Sequence, residues 1–340
     1  MSFEIILQPS GHRCTAGDQQ TVLSAALEAG FNLPYGCRNG ACGACKGKVL
    51  QGTVDHGQYQ PHALSDQEKA DGMALFCCAR PLSDLQIACR EVSAASGLSP
   101  RVMPCRVQKL EHVAHDVIVM QLKLPSNERM QFVAGQYIEF LLKDGKRRAF
   151  SLANAPHDDA FLELHLRLIP GGQFTNYVFN EMQEKTILRL EGPYGSFYLR
   201  EDSDKPVLFI AGGTGFAPVK GIIEHALHHK LQRRMTLYRG ALALRDLYLP
   251  ALAERWQAEG LVEYVPVLSA PMPEDHWTGR TGLVHLAALQ DIGDLSGYQV
   301  YCCGAPAMVE AAHRDFVAAG LPENEFFSDA FTFAPPAAAK

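Results

Sequence analysis

Hydrophobic and polar residues alternate in short runs over the first 95 residues, with two helical interruptions. Phe3–Leu7, Lys48–Val54 and Leu85–Ala88 have the strand period of two. Thr21–Ala29 is apolar at helical spacing, and Ser65-Asp-Gln-Glu68 is a capping box that opens a second helix. The pattern predicts a small domain of mixed strands and helices.

Residues 101–200 contain more strands. The predicted strands are Val102–Leu110, Val117–Leu124, Tyr137–Leu142, Phe161–Leu168 and Ile187–Leu190. Turn residues separate these runs, and such spacing is typical of an antiparallel barrel.

From Val207 onward, apolar strands alternate with helices. The predicted strands are Val207–Ile210, Met235–Tyr238, Val262–Leu268 and Val300–Tyr301, and the predicted helices are Gly221–His229, Leu247–Glu259 and Met308–Ala319. This alternation predicts a parallel sheet with helices on both faces. Ligands of such sheets bind at the carboxyl ends of the strands.

Two composition changes predict domain boundaries. Glu91–Pro100 is rich in serine and small residues, as linkers are, and Glu201–Pro206 is a charged turn. We therefore expect domains at residues 1–95, 101–200 and 204–335, followed by a loose tail at Pro335–Lys340.

Size and charge exclude several classes of function. The chain has 340 residues, 47% of them hydrophobic, and a net charge of -6 without a long basic run, so a nucleic-acid footprint is lacking. No apolar run approaches the roughly 20 residues that span a bilayer. The ten cysteines come without a secretion signal, which indicates a reducing cytoplasm.

Three of those cysteines stand in one run, Pro34-Tyr-Gly-Cys-Arg-Asn-Gly-Ala-Cys-Gly-Ala-Cys-Lys46. The spacing C-x4-C-x2-C with a distant fourth cysteine is the plant-type pattern for a [2Fe-2S] cluster. Gly36, Gly40 and Gly43 allow positive φ and close backbone approach, so amide N–H groups can point at the sulfides. Zinc is a weaker alternative because only one close C-x2-C pair exists, and disulfides would need an oxidising compartment.

The fourth ligand is either Cys77 or the adjacent Cys78. Tyr35–Ile87 resembles plant-type ferredoxins, which have a β-grasp fold and carry the last ligand four residues before a proline. With Pro81 as that proline, the resemblance implies Cys77. The implied metal ligands are Cys37, Cys42, Cys45 and Cys77.

In the middle segment, Arg148-Ala-Phe-Ser151 is followed by a glycine-rich turn. Gly171, Gly172 and Thr175 would leave the first amides of a helix at Asn176–Glu181 free to hold a phosphate. The short Arg-Ser pattern is equally compatible with the solvated edge of a barrel.

In the last segment, two strands each end in a glycine-containing turn that opens a helix. The first turn is Ala211-Gly-Gly-Thr-Gly-Phe-Ala-Pro218, and the second lies in Val300-Tyr-Cys-Cys-Gly-Ala-Pro-Ala-Met308. A helix N-terminus favours a diphosphate because it exposes amides and a positive dipole end. Such turns are common, so the pattern alone leaves phosphate binding open.

Residues 101–335 resemble the ferredoxin-NADP reductase superfamily, whose Arg-x-Tyr-Ser strand binds a flavin. The resemblance implies that Arg148 pairs with the flavin diphosphate and that Ser151 hydrogen-bonds near flavin N5. Phe150 stands where the family usually has tyrosine, so it can pack against the cofactor but cannot supply the hydroxyl.

The same resemblance implies a nicotinamide site. The family's Gly-Thr-Gly-x-x-Pro and Cys-Gly-x-Pro elements match Gly212, Gly213, Thr214, Gly215, Pro218, Cys303 and Gly304. Cys303 would lie beside the nicotinamide C4, although a buried cysteine in a packing role is the alternative. Phe331 is the candidate for the terminal aromatic residue that covers the flavin, with core packing as the alternative.

Coenzyme choice depends on Tyr238–Tyr248. Many relatives carry an arginine directly after Gly-Ala, where this chain has Leu242, so we expect NADH rather than NADPH. Arg239 and Arg245 could still compensate or simply face solvent.

Taken together, the chain resembles single-chain reductases of bacterial oxygenases and of the CDP-6-deoxy-glucoseen type. The resemblance implies that hydride electrons pass from NADH or NADPH through FAD to the [2Fe-2S] cluster and then, one at a time, to a dehydrase or oxygenase. That protein partner would dock near Arg38 and Asn39. The alternative is a flavin enzyme that reduces a small molecule directly.

Overall fold

The computed structural model describes residues 2–89 and 98–332. Of the expected linker Glu91–Pro100, residues 91–97 lie outside the described residues, and so does the expected tail at residues 335–340. Contacts divide the described chain into two compact units, one made of residues 2–89, 98–99, 194–196 and 331–332, and the other of residues 100–193 and 197–330. None of the helices within the described ranges has both the length and the apolar character needed to cross a bilayer.

The first unit contains a mixed five-stranded sheet in the order β2-β1-β7-β3-β5 and a small sheet of β4 and β6. Its strands are β1 (Phe3–Gln8), β2 (Arg13–Ala16), β3 (Lys46–Gln51), β4 (Val54–Asp55), β5 (Met73–Leu75), β6 (Arg80–Pro81) and β7 (Leu85–Ala88). The central strands β1 and β7 run parallel, whereas β1 with β2 and β3 with β5 are antiparallel.

Two short helices accompany this sheet, α1 (Val22–Glu28) and α2 (Asp66–Ala70). Thr21 caps α1 by accepting a hydrogen bond from the Ser24 amide. The capping box at Ser65 and Glu68 is present, which confirms the predicted start of α2. Helix α1 therefore begins one residue after the expected Thr21, and α2 begins directly after Ser65.

The second unit contains a six-stranded antiparallel sheet in the order β11-β10-β13-β8-β9-β12, which we call the middle sheet. Its elements are β8 (Arg101–Ala114), β9 (Val117–Lys123), β10 (Tyr137–Leu141), β11 (Arg147–Ser151), β12 (Leu162–Arg167), α3 (Gln173–Asn180) and β13 (Ile187–Tyr194). An isolated bridge joins Leu152 to Leu164, beside the two edge strands. The predicted antiparallel strands are confirmed, while a closed barrel stays a prediction.

A parallel sheet in the order β17-β16-β15-β14-β18-β19 completes the second unit. Its strands are β14 (Val207–Gly212), β15 (Met235–Ala241), β16 (Glu263–Leu268), β17 (Arg280–Thr281), β18 (Gln299–Gly304) and β19 (Phe326–Ala330). Its helices are α4 (Phe216–His228), α5 (Pro250–Ala258), α6 (Val284–Ile292) and α7 (Pro306–Ala318). The predicted parallel sheet is confirmed.

Several predicted boundaries are wrong, and these shifts bear on the functional sites. Helix α3 begins at Gln173 instead of Asn176, and α4 begins at Phe216 instead of Gly221. Strand β18 continues past Tyr301 to Gly304. The sequence pattern also missed α6 and β19, because short elements between turns carry little periodicity.

Candidate functional site

The cysteine loop is arranged around its own sulfur atoms. The amides of Ala41 and Cys42 each lie 3.3 Å from Cys37 Sγ, and the Cys37 amide lies 3.3 Å from Cys42 Sγ. The Cys77 amide points at Cys45 Sγ from 3.5 Å. Amides that converge on thiolates and sulfides favour an anionic iron–sulfur group, so this donor set fits a [2Fe-2S] cluster.

Cys78 packs against the cysteine loop at Gly40. A Cβ built on Gly40, which has φ of +73°, would stand 2.8 Å from Cys78 Sγ and 2.8 Å from Tyr59 Cβ. Gly40 therefore lets the loop pack closely against Cys78 and Tyr59. The hydrogen bonds of Cys45 and Cys78 lower the pKa of Cys77.

Segment Tyr194–Ser196 belongs to the same compact unit as the cysteine loop. Ser196 Oγ accepts a hydrogen bond from the Tyr35 amide at 2.9 Å and donates one to the Tyr35 carbonyl at 3.0 Å. The Arg38 guanidinium lies 4.1 Å from the centre of the Tyr194 ring. Arg38 and Asn39 remain exposed.

Strand β11 presents the predicted flavin residues. Arg148 donates to the Arg147 carbonyl at 2.8 Å and forms no ion pair within the described part of the chain. Its neighbour Arg147 is paired with Glu139 and Glu191. Arg148 therefore keeps its charge available for a diphosphate, and Phe150 packs against Phe140 and Phe174.

The glycine-rich turn before α3 differs from the prediction. Thr175 lies inside the helix, where its hydroxyl accepts from the Ile169 amide and donates to the Gly172 carbonyl. Gly171 has φ of +74°, and Gly172 is the N-cap residue. The free amides at this helix start are accordingly those of Gln173, Phe174 and Thr175.

The ends of β14 and β18 lie side by side, with Ala211 paired to Cys303. A Cβ on Gly215 would stand 2.1 Å from the Cys303 carbonyl oxygen. A Cβ on Gly304 would stand 2.8 Å from Met308 Cε, and one on Gly213 would stand 2.7 Å from Arg167 Nη1. The Gly215 contact is with backbone, so at that point the strand ends leave no room for a side chain, as expected where a dinucleotide approaches the backbone.

Cys303, Ser151 and Asp329 converge at this edge of the parallel sheet. Ser151 Oγ donates to Asp329 Oδ2 at 3.2 Å, and Asp329 is paired with Cys303 between β19 and β18. Burial raises the pKa of Asp329 to about 6, and the hydrogen bond from Ser151 lowers it in part. Burial and the nearby Asp329 raise the pKa of Cys303, so the thiol stays protonated.

The coenzyme-selectivity segment corrects one expectation. Arg239 neither faces solvent nor reaches a ribose, because its side chain is only 1% exposed. Leu242 is 60% exposed after Gly240 and Ala241, and Arg245 is exposed too. Arg245 is thus the remaining candidate for compensating the missing arginine at position 242.

Three family models match successive parts of the chain. They describe a 2Fe-2S iron-sulfur cluster binding domain at residues 5–82, an oxidoreductase FAD-binding domain at residues 104–198 and an oxidoreductase NAD-binding domain at residues 209–314. These ranges contain most of the proposed cluster, flavin and nicotinamide residues.

Whole-chain relatives agree. The CDP-6-deoxy-L-threo-D-glycero-4-hexulose-3-dehydrase reductase of Yersinia pseudotuberculosis is 40% identical over 97% of this chain and 99% of its own length. The reductase component of phenol 2-monooxygenase from a Pseudomonas species is 36% identical over 97% of this chain and 95% of its own. The chain belongs to this family of iron–sulfur flavoprotein reductases. A crystal structure of an Amycolatopsis cytochrome P450 reductase matches the reductase with a TM-score of 0.78 and 34% identity, over 97% of this chain and 98% of the other.

The reductase is an NAD(P)H oxidoreductase that passes electrons through FAD and a 2Fe-2S cluster. Sequence reasoning missed two residues that the structure places beside the candidate site, Asp329 and Arg167. Asp329 was detectable as the one charged residue in the run Phe326–Phe331, which is otherwise apolar apart from Ser328. Arg167 carried no signal, because only folding places its guanidinium beside Gly213.

Proposed function

We propose that this reductase takes hydride from NADH and delivers single electrons to a deoxysugar dehydrase. The observation that carries the proposal is the convergence of Ser151, Asp329 and Cys303, which brings a residue of the middle sheet to the carboxyl edge of the parallel sheet. A flavin held at β11 and a nicotinamide held at the β14 and β18 turns would meet there. The 40% identity to the dehydrase reductase favours a dehydrase over an oxygenase as the acceptor.

We assign the cofactors to the following residues. Cys37, Cys42, Cys45 and Cys77 hold the cluster; Arg148, Phe150, Ser151, Gly171, Gly172, Thr175 and Phe331 hold FAD; and Gly212, Gly213, Thr214, Gly215, Pro218, Cys303 and Gly304 hold the nicotinamide coenzyme. Phe331 directly follows β19, two residues after Asp329. The corresponding domains are residues 1–95, 101–200 and 204–335, and we assign the protein to the cytoplasm.

A flavin held at Arg148, Phe150 and Ser151 would supply the conversion between two-electron hydride chemistry and the one-electron transfer that the cluster requires. The chain's own residues would position the two cofactors and move protons beside the flavin. Ser151 can offer its hydroxyl to a flavin nitrogen while Asp329 Oδ2 holds or accepts a proton. Cys303 stays a neutral thiol that shapes the nicotinamide pocket and excludes water.

The proposed relay predicts two outlets, the cluster for cytochrome c and the flavin for ferricyanide, and a variant without the cluster separates them. Cys77→Ser should lose cluster absorbance and cytochrome c reduction but keep ferricyanide reduction by the flavin, because the cluster is the outlet for single electrons. Cys42→Ser should behave alike. Purified protein should contain flavin and about two irons per chain.

Cys78→Ser is the matched control, since it changes a cysteine that we do not assign as a ligand. It should retain the cluster and both activities. Equal loss of both activities in Cys77→Ser would refute the relay order, and cluster loss in Cys78→Ser alone would reassign the fourth ligand.

A kcat/KM ratio that strongly favours NADPH would overturn the choice of NADH.

A further inference from the structure

One face of β12 meets the parallel sheet's domain at three points. Leu162, Leu164 and Leu166 point into the core of the middle sheet. The alternating residues Glu163, His165 and Arg167 share the opposite face, since successive side chains of a strand point to opposite sides. They contact, in order, Lys220 on α4, Tyr248 before α5, and Gly213 in the turn after β14.

The central contact is a fully buried hydrogen bond. His165 has a side chain with no exposed surface, and its Nδ1 lies 2.9 Å from the Tyr248 hydroxyl. Burial lowers the pKa of His165, so the ring is neutral. Burial would raise the pKa of Glu163, but the hydrogen bond from His165 and the charge of Lys220 hold it at about 2.

These protonation states fix the direction of the hydrogen bonds. The Glu163 carboxylate can only accept, so His165 Nε2 carries the ring proton and donates to it across 3.2 Å. His165 Nδ1 is then an acceptor, and the Tyr248 hydroxyl donates to it. Burial raises the pKa of Tyr248, which keeps this donor protonated.

Tyr248 also belongs to a stack beneath the coenzyme turn. The guanidinium carbon of Arg239 lies 3.9 Å from the centre of the Phe216 ring and 4.6 Å from that of Tyr248, and Arg239 Nη2 donates to the Tyr248 carbonyl. Phe216 is fully buried and is the first residue of α4, directly after the Gly213–Gly215 turn. A desolvated cation–π stack of this kind resists displacement.

We propose that Tyr248 is a positioning residue for hydride transfer. It ties His165 of the middle sheet to Arg239 and Phe216 under the Gly213–Gly215 turn, and so sets where that turn lies relative to the strand that carries Ser151. Tyr248 touches neither cofactor in this role. The inference rests on the proposed function, since it assigns flavin to the middle sheet and nicotinamide to the turn.

Tyr248→Phe tests the tie, because it keeps the ring stack and removes only the hydroxyl. Anaerobic mixing with saturating NADH should give a limiting rate of flavin reduction, per bound flavin, about tenfold below that of the wild type, since a misplacement near 1 Å can cost about 100-fold. The apparent Kd for NADH should change less than about threefold, because the turn itself is intact. His165→Asn should give a similar loss, and the double variant should lose no more than either single variant.

A second readout does not depend on activity. Amide hydrogen exchange in the peptide that covers residues 211–220 should be faster in Tyr248→Phe than in the wild type. The variant lacks the hydrogen bond to His165 that holds the turn in place. Tyr301→Phe is the matched control, because Tyr301 is also fully buried and its hydroxyl donates to Gln299 Oε1 at 3.3 Å. That variant should match the wild type in both measurements.

A limiting rate and an exchange rate within twofold of wild type in Tyr248→Phe would overturn the inference, and so would an equal effect of Tyr301→Phe. Losses that add in the double variant would also overturn it. Wild-type protein whose flavin is not reduced by NADH or NADPH would instead overturn the proposed function. The exchange measurement would then still decide whether Tyr248 holds the turn.

Discussion

Asp329 is an acid whose ionisation falls within the working pH range. Its carboxyl accepts a hydrogen bond from Ser151, and burial raises its pKa to about 6. Below that pH the carboxyl keeps its proton, and above it the carboxylate can accept one through the Ser151 hydroxyl. The ionised Asp329 could thus take up a proton that a flavin bound beside Ser151 would give up on oxidation.

We expect cytochrome c reduction to rise with pH through about 6 and then level off, because Asp329 must be ionised to accept a proton. Asp329→Asn should flatten this rise and lower the plateau about tenfold or more, in line with the usual size of acid–base effects. The measurement is kcat between pH 5 and pH 8 with flavin content held equal. An unchanged inflection in Asp329→Asn would assign the titration to another group.

The raised pKa of Asp329 also makes the stability of the protein depend on pH, and stability changes with pH in the opposite direction to activity. A carboxyl whose pKa is higher in the folded than in the unfolded protein binds protons more tightly when folded, so its stabilising contribution is complete below about pH 4 and is lost as pH rises through about 6. Asp329→Asn should therefore raise the melting temperature at pH 8 more than at pH 5. A larger gain at pH 5 would contradict the raised pKa.

At the scale of secondary structure elements, the coenzyme site is the meeting of two strand ends. Strands β14 and β18 are parallel neighbours, so their carboxyl ends open at the same edge of the sheet. Gly215 packs directly on the carbonyl of Cys303, and Gly213 leaves room for Arg167. The site thus depends on backbone contact between elements that are about 90 residues apart.

Gly215→Ala should weaken coenzyme binding, because its Cβ would stand 2.1 Å from the Cys303 carbonyl oxygen and must push β18 and the turn apart. We expect KM for NADH to rise about tenfold or more while flavin and iron contents stay normal. Steady-state ferricyanide reduction measures this change.

Gly297→Ala is the control in the same domain, since a Cβ there meets nothing within 4 Å. It should leave KM unchanged. A normal KM in Gly215→Ala would show that the turn and β18 can separate without loss of the site.

At the scale of the whole molecule, the net charge of -6 affects the encounter with acceptors. Opposite charges steer association at low salt, and about 0.1 M salt screens them beyond about 10 Å. Raising ionic strength should therefore lower kcat/KM for a cationic acceptor such as cytochrome c and raise it for anionic ferricyanide. A change of kcat/KM in the same direction for both acceptors would indicate a salt effect on the enzyme itself. The rate of flavin reduction by NADH would then change with salt as well.

The sequence predicted those parts of the site that lie close together along the chain. Three cysteines within nine residues, the Arg148–Ser151 strand and the two glycine turns are local patterns, because the backbone geometry they require is fixed over a few residues. The sheet types followed equally from hydrophobic periodicity. Helix starts were less predictable: α3 and α4 begin earlier than expected, since the residues directly after each glycine turn already form the first helical turn.

Contacts between residues far apart in the chain decided the parts of the candidate site that the sequence did not predict. Asp329 reaches Ser151 across 178 residues, Tyr248 reaches His165 across 83, and Arg239 is buried although it was expected either to replace the missing coenzyme arginine or to face solvent. The sequence by itself determined the strand and helix patterns and the cluster spacing, because spacing and periodicity encode local backbone geometry, while FAD and the nicotinamide coenzyme followed from the resemblance to known reductases. Only the tertiary structure decided which buried polar groups become partners, because a hydrogen bond or a shifted pKa depends on distances that folding alone sets.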